Sequence, residues 1–126
     1  MKSTLLLLAL CATAHAAPPD SFFRALHVVE TSGRTGAIIG DGGRALGPLQ
    51  IHRAYHADAR IGGDYARCAD LDYSKRVVSA YLQRYAPQAW AAGDVTTLAR
   101  IHNGGPRGDK KSATLGYAAK VARLTK

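Results

Sequence analysis

Glutamate is all but missing from this chain of 126 residues: Glu30 is the only one, and aspartates supply the rest of the acidic charge. Cysteine is nearly as scarce, with Cys11 and Cys68 alone. No apolar run approaches the ~20 residues that a membrane-spanning helix needs. The longest, Leu5 to Ala12, follows Lys2 and leads to small residues at Ala14 and Ala16 around His15, the layout of a secretory signal cut after Ala16. A lipid-anchoring signal through Cys11 would want a small residue where Leu10 stands. The reading is therefore a signal peptide over 1–16, one domain over 17–126, and a secreted or periplasmic protein. Once Cys11 leaves, Cys68 has no partner within the chain, which excludes an internal disulfide and leaves stability to helix packing. Acidic groups are also outnumbered: seventeen lysines and arginines, eleven of them arginine, face nine acids for a formal charge of +8. Such a surface attracts anionic polymers. For an exported chain these are cell-wall polymers; nucleic acid, stable membrane insertion and a bound cofactor are not expected, and a monomer is.

What is present reads mainly as helix. Phe22, Leu26 and Val29 recur at helical spacing after a cap at Asp20 or Ser21, and Gly33 lies just past the end, so Glu30 sits at a helix C-terminus. Gly36, the trio Ala37, Ile38 and Ile39, and "GDGG" then predict a short β-hairpin carrying Asp41 on its turn. A second helix is expected after Pro48, carrying Leu49, Ile51 and Tyr55, and the stretch 60–73 is expected to be loop. Ser74 is expected to cap a third helix with an apolar stripe from Val77 to Tyr85, ended by Pro87. Asp94 caps a fourth, stopped by "NGG", and the last runs from Ser112 or Thr114 to Leu124. About five helices with one small hairpin make a mainly α domain of the α+β kind.

Glu30 and Asp41 stand out chemically. A helix's carbonyl end carries partial negative charge and Val28 and Val29 are apolar, and both disfavour a charged carboxylate. A carboxylic acid kept protonated is what cleavage of a glycosidic bond needs, because the leaving oxygen must take up a proton. Asp41, on a glycine-rich turn, would be more solvated and ionised. Two carboxyl groups in unlike settings are the general equipment of glycoside hydrolases. The bare pair also fits a solvated helix end and a turn-forming aspartate.

"ETSG", "GDGG", "GPLQIHRAYH", "ARIHNGGPRG" and "ATLGYAAKV", in that order, resemble the invertebrate-type lysozymes, the family that includes destabilase. The resemblance runs from about Leu26 to Val121. It implies a lysozyme-like fold and a muramidase cutting the β-1,4 link between N-acetylmuramic acid and N-acetylglucosamine in peptidoglycan. It carries the catalytic glutamate onto Glu30 and the catalytic aspartate onto Asp41. Gln50, Tyr55, His102, Asn103 and Gly104 become candidate substrate-binding residues. The chain departs from the family in its loss of cysteines, in Thr31 for the usual serine, in His56 for a tryptophan, and in a Glu-to-Asp interval one residue short. Lytic transglycosylases share the Glu-Ser helix end and a Gly-x-x-Gln-Ile segment but lack the aspartate, so transglycosylation through Glu30 alone is one alternative; a non-catalytic wall-binding module is another.

The same residues have plainer readings. Gln50 and Asn103 could be hydrogen-bonders that fix their own loops, and His102 could brace the cleft or orient the Asn103 loop. His52 and His56, four apart, could share a helix face and hold zinc. No glutamate follows His52 as a zinc-peptidase motif requires, and no metal site is expected. Cys68 reads as a small buried hydrophobe, and Tyr81 and Tyr85 as core.

Overall fold

Apolar stripes at helical spacing generate most of this architecture. In a computed structural model, which describes residues 17–126, the chain forms α1 (Asp20–Thr31), strands β1 (Ile39–Gly40), β2 (Ala45–Leu46) and β3 (Ile51–His52), then α2 (Arg53–Ala59). α3 (Leu71–Tyr85), α4 (Pro87–Ala92), α5 (Val95–Gly104) and α6 (Leu115–Leu124) follow, with short 3₁₀ turns at Tyr65–Ala69, Gly108–Lys110 and Ser112–Thr114. The expected signal peptide lies outside the described residues.

The stripe of each long helix meets in one core. Phe22 and Leu26 of α1, Val77, Val78 and Leu82 of α3, Leu98 of α5 and Val121 of α6 are all fully buried, joined by Leu49 and Cys68 from the connecting segments. Burying one such side chain contributes about 1.5–3 kcal/mol. α6 packs against both α5 and α1. The C-terminal helix therefore bridges the first helix to the "ARIHNGG" helix.

Besides α1, which starts at Asp20 behind Pro19 without the side-chain cap expected of Asp20 or Ser21, the elements differ from the sequence reading in four places. The hairpin is a three-stranded antiparallel sheet, with Ile39 opposite Leu46, Gly40 opposite Ala45, and Ala45 opposite His52. Ile51 belongs to its third strand, not to a helix. α3 begins at Leu71, because Asp70 accepts a hydrogen bond from the Asp72 amide and caps it; Ser74 is inside, fully buried, its hydroxyl donating to the Cys68 carbonyl at 2.8 Å. Pro87 starts a helix as well as ending one, since proline suits the first turn of a helix. Among the described residues six helices result, and the α+β character stands.

Two tethers fix the hairpin relative to α1. The Thr31 hydroxyl, at the helix's last residue and 3% exposed, donates to the Pro48 carbonyl at 2.8 Å. The Gln50 amide donates to the Ile38 and Gly47 carbonyls at 3.2 and 3.0 Å, and the Gly47 amide donates to Ile38 at 2.7 Å. Gly47 has φ +84° and its backbone lies so close to the Cys68 carbonyl that a Cβ would collide with it.

Candidate active site

α1 ends where Ser32, φ 56°, takes left-handed backbone, and the amides of Ser32 and Gly33 return to the Val28 and His27 carbonyls. That closure leaves Glu30 in the last turn, facing a cleft of about 590 Å³. Asp41, Gln50, Tyr55, His102 and Asn103 line the same cleft. The fold thus brings together residues from α1, the hairpin, α2 and α5.

The two carboxyl groups sit in different settings. The Glu30 side chain is 18% exposed and the Asp41 side chain 47%. Glu30 Oε1 accepts a hydrogen bond from the Tyr117 hydroxyl at 2.6 Å and lies 3.7 Å from His102 Nε2. Tyr55 bonds the other ring nitrogen, Nδ1, at 2.9 Å, and stacks on Tyr81 with centroids 3.6 Å apart. Burial, then the neighbouring Tyr81 and Glu30, push the Tyr55 phenol well above its ordinary 10.0. Tyr55 therefore keeps its proton and can donate it to Nδ1, which leaves Nε2 as the ring nitrogen that carries a proton toward Glu30. Burial first, then the charge and hydrogen bond of Glu30, also hold the Tyr117 phenol protonated. With Oε1 engaged by a donor, Oε2 is the oxygen of Glu30 free to carry an exchangeable proton.

Asp41 occupies the hairpin turn with φ 50°, a left-handed conformation that aspartate tolerates better than most residues. Both of its oxygens are engaged at the surface: Oδ1 by Arg44 and Oδ2 by His52 Nε2, each at 3.1 Å. His52 reaches it because β3 sets His52 beside Ala45, just after the turn. His52 and His56 do not share a helix face. His52 precedes α2 in extended backbone, and His56 bonds the Tyr73 hydroxyl at 2.7 Å. Among the described residues no cluster of His, Cys, Asp or Glu could hold a metal ion.

The remaining candidates divide. The Gln50 amide nitrogen is spent on the hairpin backbone, while a Cβ on Gly40 would meet Gln50 Oε1, so a larger residue there would displace that side chain. Asn103 is exposed at the end of α5 and forms no side-chain hydrogen bond among the described residues, so its amide is open to the cleft. Gly104 does not line the cleft. A Cβ there would meet Thr114 at 2.6 Å, and it is Gly105, φ 85°, and Pro106 that face the opening. Val28 is 48% exposed and gives Glu30 no shelter, whereas His102 and Tyr117 cover it.

No protein-family profile matches the chain. Among curated proteins, the lysozyme of Meretrix lusoria is 37% identical over 86 residues, a match covering 67% of this chain and 70% of that protein. The chain belongs to the invertebrate-type lysozyme family. Lysozyme 1 of Crassostrea virginica is 46% identical over 79 residues, 61% of this chain and 43% of its own, so the match spans less than half of that relative. The fold agrees: the Meretrix lusoria lysozyme, solved in complex with Aeromonas hydrophila PliI, superposes with a TM-score of 0.71 at 28% identity over 86% of this chain and 91% of that one. Within this family fold, Cys68 is free and buried, its thiol pushed up to about 11 by burial. Tyr117 lies within the segment "ATLGYAAKV", and its contact with Glu30 joins residues 87 apart, which local spacing cannot reveal.

Proposed function

We infer that the protein is an exported muramidase that hydrolyses the β-1,4 bond between N-acetylmuramic acid and N-acetylglucosamine in peptidoglycan. The observation that carries the reading is Glu30 at the end of α1, one oxygen held by Tyr117, in a cleft that Asp41 also lines. Glu30 gives the proton on Oε2 to the leaving glycosidic oxygen as the C–O bond breaks. Positive charge then develops at the sugar carbon, and the Asp41 carboxylate stabilises it or bonds to it. Glu30, now a carboxylate, takes a proton from water, whose hydroxyl completes the hydrolysis and restores the acid.

The surroundings suit each step. His102 Nε2 and the Tyr117 hydroxyl both face Oε1, which shares the carboxylate charge left when the proton leaves Oε2, and such fixed donors need no rearrangement during reaction. Arg44 and His52 hold the Asp41 carboxylate in place on a turn that would otherwise be free to move. Asn103, with its amide open, and Gly105, with no side chain to obstruct, are suited to the N-acetyl and hydroxyl groups of the sugar.

Export through the N-terminal segment, the basic surface and the wall substrate are consistent with one another, since a chain of formal charge +8 gathers on anionic wall polymer by many weak contacts. The relation to a lysozyme solved in complex with PliI supports a protein partner for this chain as well. Replacing Glu30 by glutamine tests the reading: clearing of wall suspensions should stop. Digests by the unaltered protein should contain products one water heavier than those of a transglycosylase.

A further inference from the structure

The wall of the cleft does not stop at Asp41. Ala45, His52 and Ala54 line the Glu30 cleft and also a second concavity of about 580 Å³ beside the hairpin. Arg44 joins the two, lining the second while its guanidinium holds Asp41 of the first. Ile39 and Leu46, a cross-strand pair, give the second concavity an apolar surface, with Ile39 63% exposed. Solvent-facing isoleucine on a hairpin has no part in the core, and it invites an apolar ligand group.

Arg53 is the distinctive group there. Its guanidinium lies 4.4 Å from the centroid of the Tyr65 ring, and the Tyr65 hydroxyl is itself anchored on the Ile51 carbonyl at 2.5 Å. Stacking on an anchored ring fixes an arginine without neutralising it. Among the described residues Arg53 has no ion pair and no side-chain hydrogen bond. Asp64, the one acid lining this concavity, accepts from the Ala66 amide instead. A positioned, unspent guanidinium beside an apolar surface matches a carboxylate attached to small apolar groups. N-acetylglucosamine offers no such combination, and muramic acid offers only the single lactyl carboxylate that appears once its stem amide is cleaved. The peptide stem that peptidoglycan carries on its muramic acid offers both, with alanine methyls and free carboxylates spaced along a short chain.

Resting on the muramidase reading above, we propose that the Arg53 concavity binds the peptide stem of the same muramic acid whose bond is cut, Arg53 taking a stem carboxylate and Ile39 and Leu46 taking alanine methyls. The site makes the enzyme selective for stem-bearing glycan over bare glycan, through binding and not through the chemical step.

The experiment compares wild type, Arg53→Gln and Ile39→Asp on three polymers: peptidoglycan freed of teichoic acid, the same glycan stripped of stems by an amidase, and walls retaining teichoic acid. Wild type should show kcat/KM about tenfold higher on stem-bearing than on stripped glycan, the scale of one charge-assisted hydrogen bond. Each variant should lose that preference through KM, keep wild-type rates on stripped glycan, and melt at the wild-type temperature. Equal loss on stem-bearing and stripped glycan would overturn the proposal in favour of a further sugar site. Loss confined to walls retaining teichoic acid would overturn it in favour of phosphate binding, and no preference in wild type would also end it. Failure of wild type to cut any of the three would instead refute the muramidase reading.

Discussion

At the scale of single residues, the account turns on how one carboxyl group is held. Tyr117 donates to Glu30 Oε1 at 2.6 Å, and its phenol stays protonated because it is buried beside that glutamate. Tyr117→Phe removes the donor and little else. We expect kcat to fall about tenfold with KM nearly unchanged, and stability to fall by about 0.5–1.5 kcal/mol, the range of an ordinary hydrogen bond; steady-state kinetics and thermal melting check both. A larger effect on KM than on kcat would mean that Tyr117 serves substrate binding. Glu30 was legible in the sequence because it is the only glutamate and stands in a helix-ending motif. Tyr117 was not, because its partner is 87 positions away. His52 was misread for a physical reason: an i, i+4 pair of histidines shares a face only if both are helical, and His52 lies in a strand.

At the scale of elements, the hairpin is the part that must be placed. Thr31 ties α1 to Pro48, and Gln50 clamps the loop between Ile38 and Gly47. Gly47 allows the hairpin to approach the Cys68 carbonyl, in a backbone conformation of φ +84°. Gly47→Ala adds both strain and collision and is expected to destabilise the protein by about 2–5 kcal/mol, measured as a lowered midpoint in denaturant. Its residual folded fraction should also lose activity, because Asp41 rides on the same hairpin. The helices were legible where an apolar stripe ran along ten or more helical residues, as in α1, α3 and α5. α4 was hidden by a proline that reads equally as an end and a beginning. β3 was hidden because two-residue strands carry no period, and Ile51 and Tyr55, four apart, mimic helical spacing.

At the scale of the whole molecule, a small protein with no disulfide among its described residues depends on a continuous core, and that core contains ionisable groups kept neutral. Burial, then Tyr85 and Asp58, raise Tyr81 from 10.0 to about 12; burial raises Cys68 from 9.0 to about 11; Tyr55 and Tyr117 are raised as well. A group whose protonated form the fold favours contributes stability fully below its unfolded pKa and loses it as pH rises through the folded one. Stability should therefore be insensitive to these groups at neutral pH and fall from about pH 9 to 12. Each group adds about 1.4 kcal/mol per pH unit while it is ionised only in the unfolded chain. Denaturant midpoints across that range give the slope, and a flat profile would contradict the burial of these phenols. The fold class was legible from composition and stripes. The convergence of α1, α5 and α6 on Glu30 was not, since it depends on which helices pack together.

The most direct measurement is the rate at which the Glu30→Gln protein releases reducing ends from purified peptidoglycan, alongside its binding to the same material and its melting temperature. The account predicts a fall in kcat of about 10²- to 10⁴-fold, the usual contribution of general acid–base catalysis, with binding and melting unchanged. Reducing ends released by the folded variant at close to the wild-type rate would contradict it.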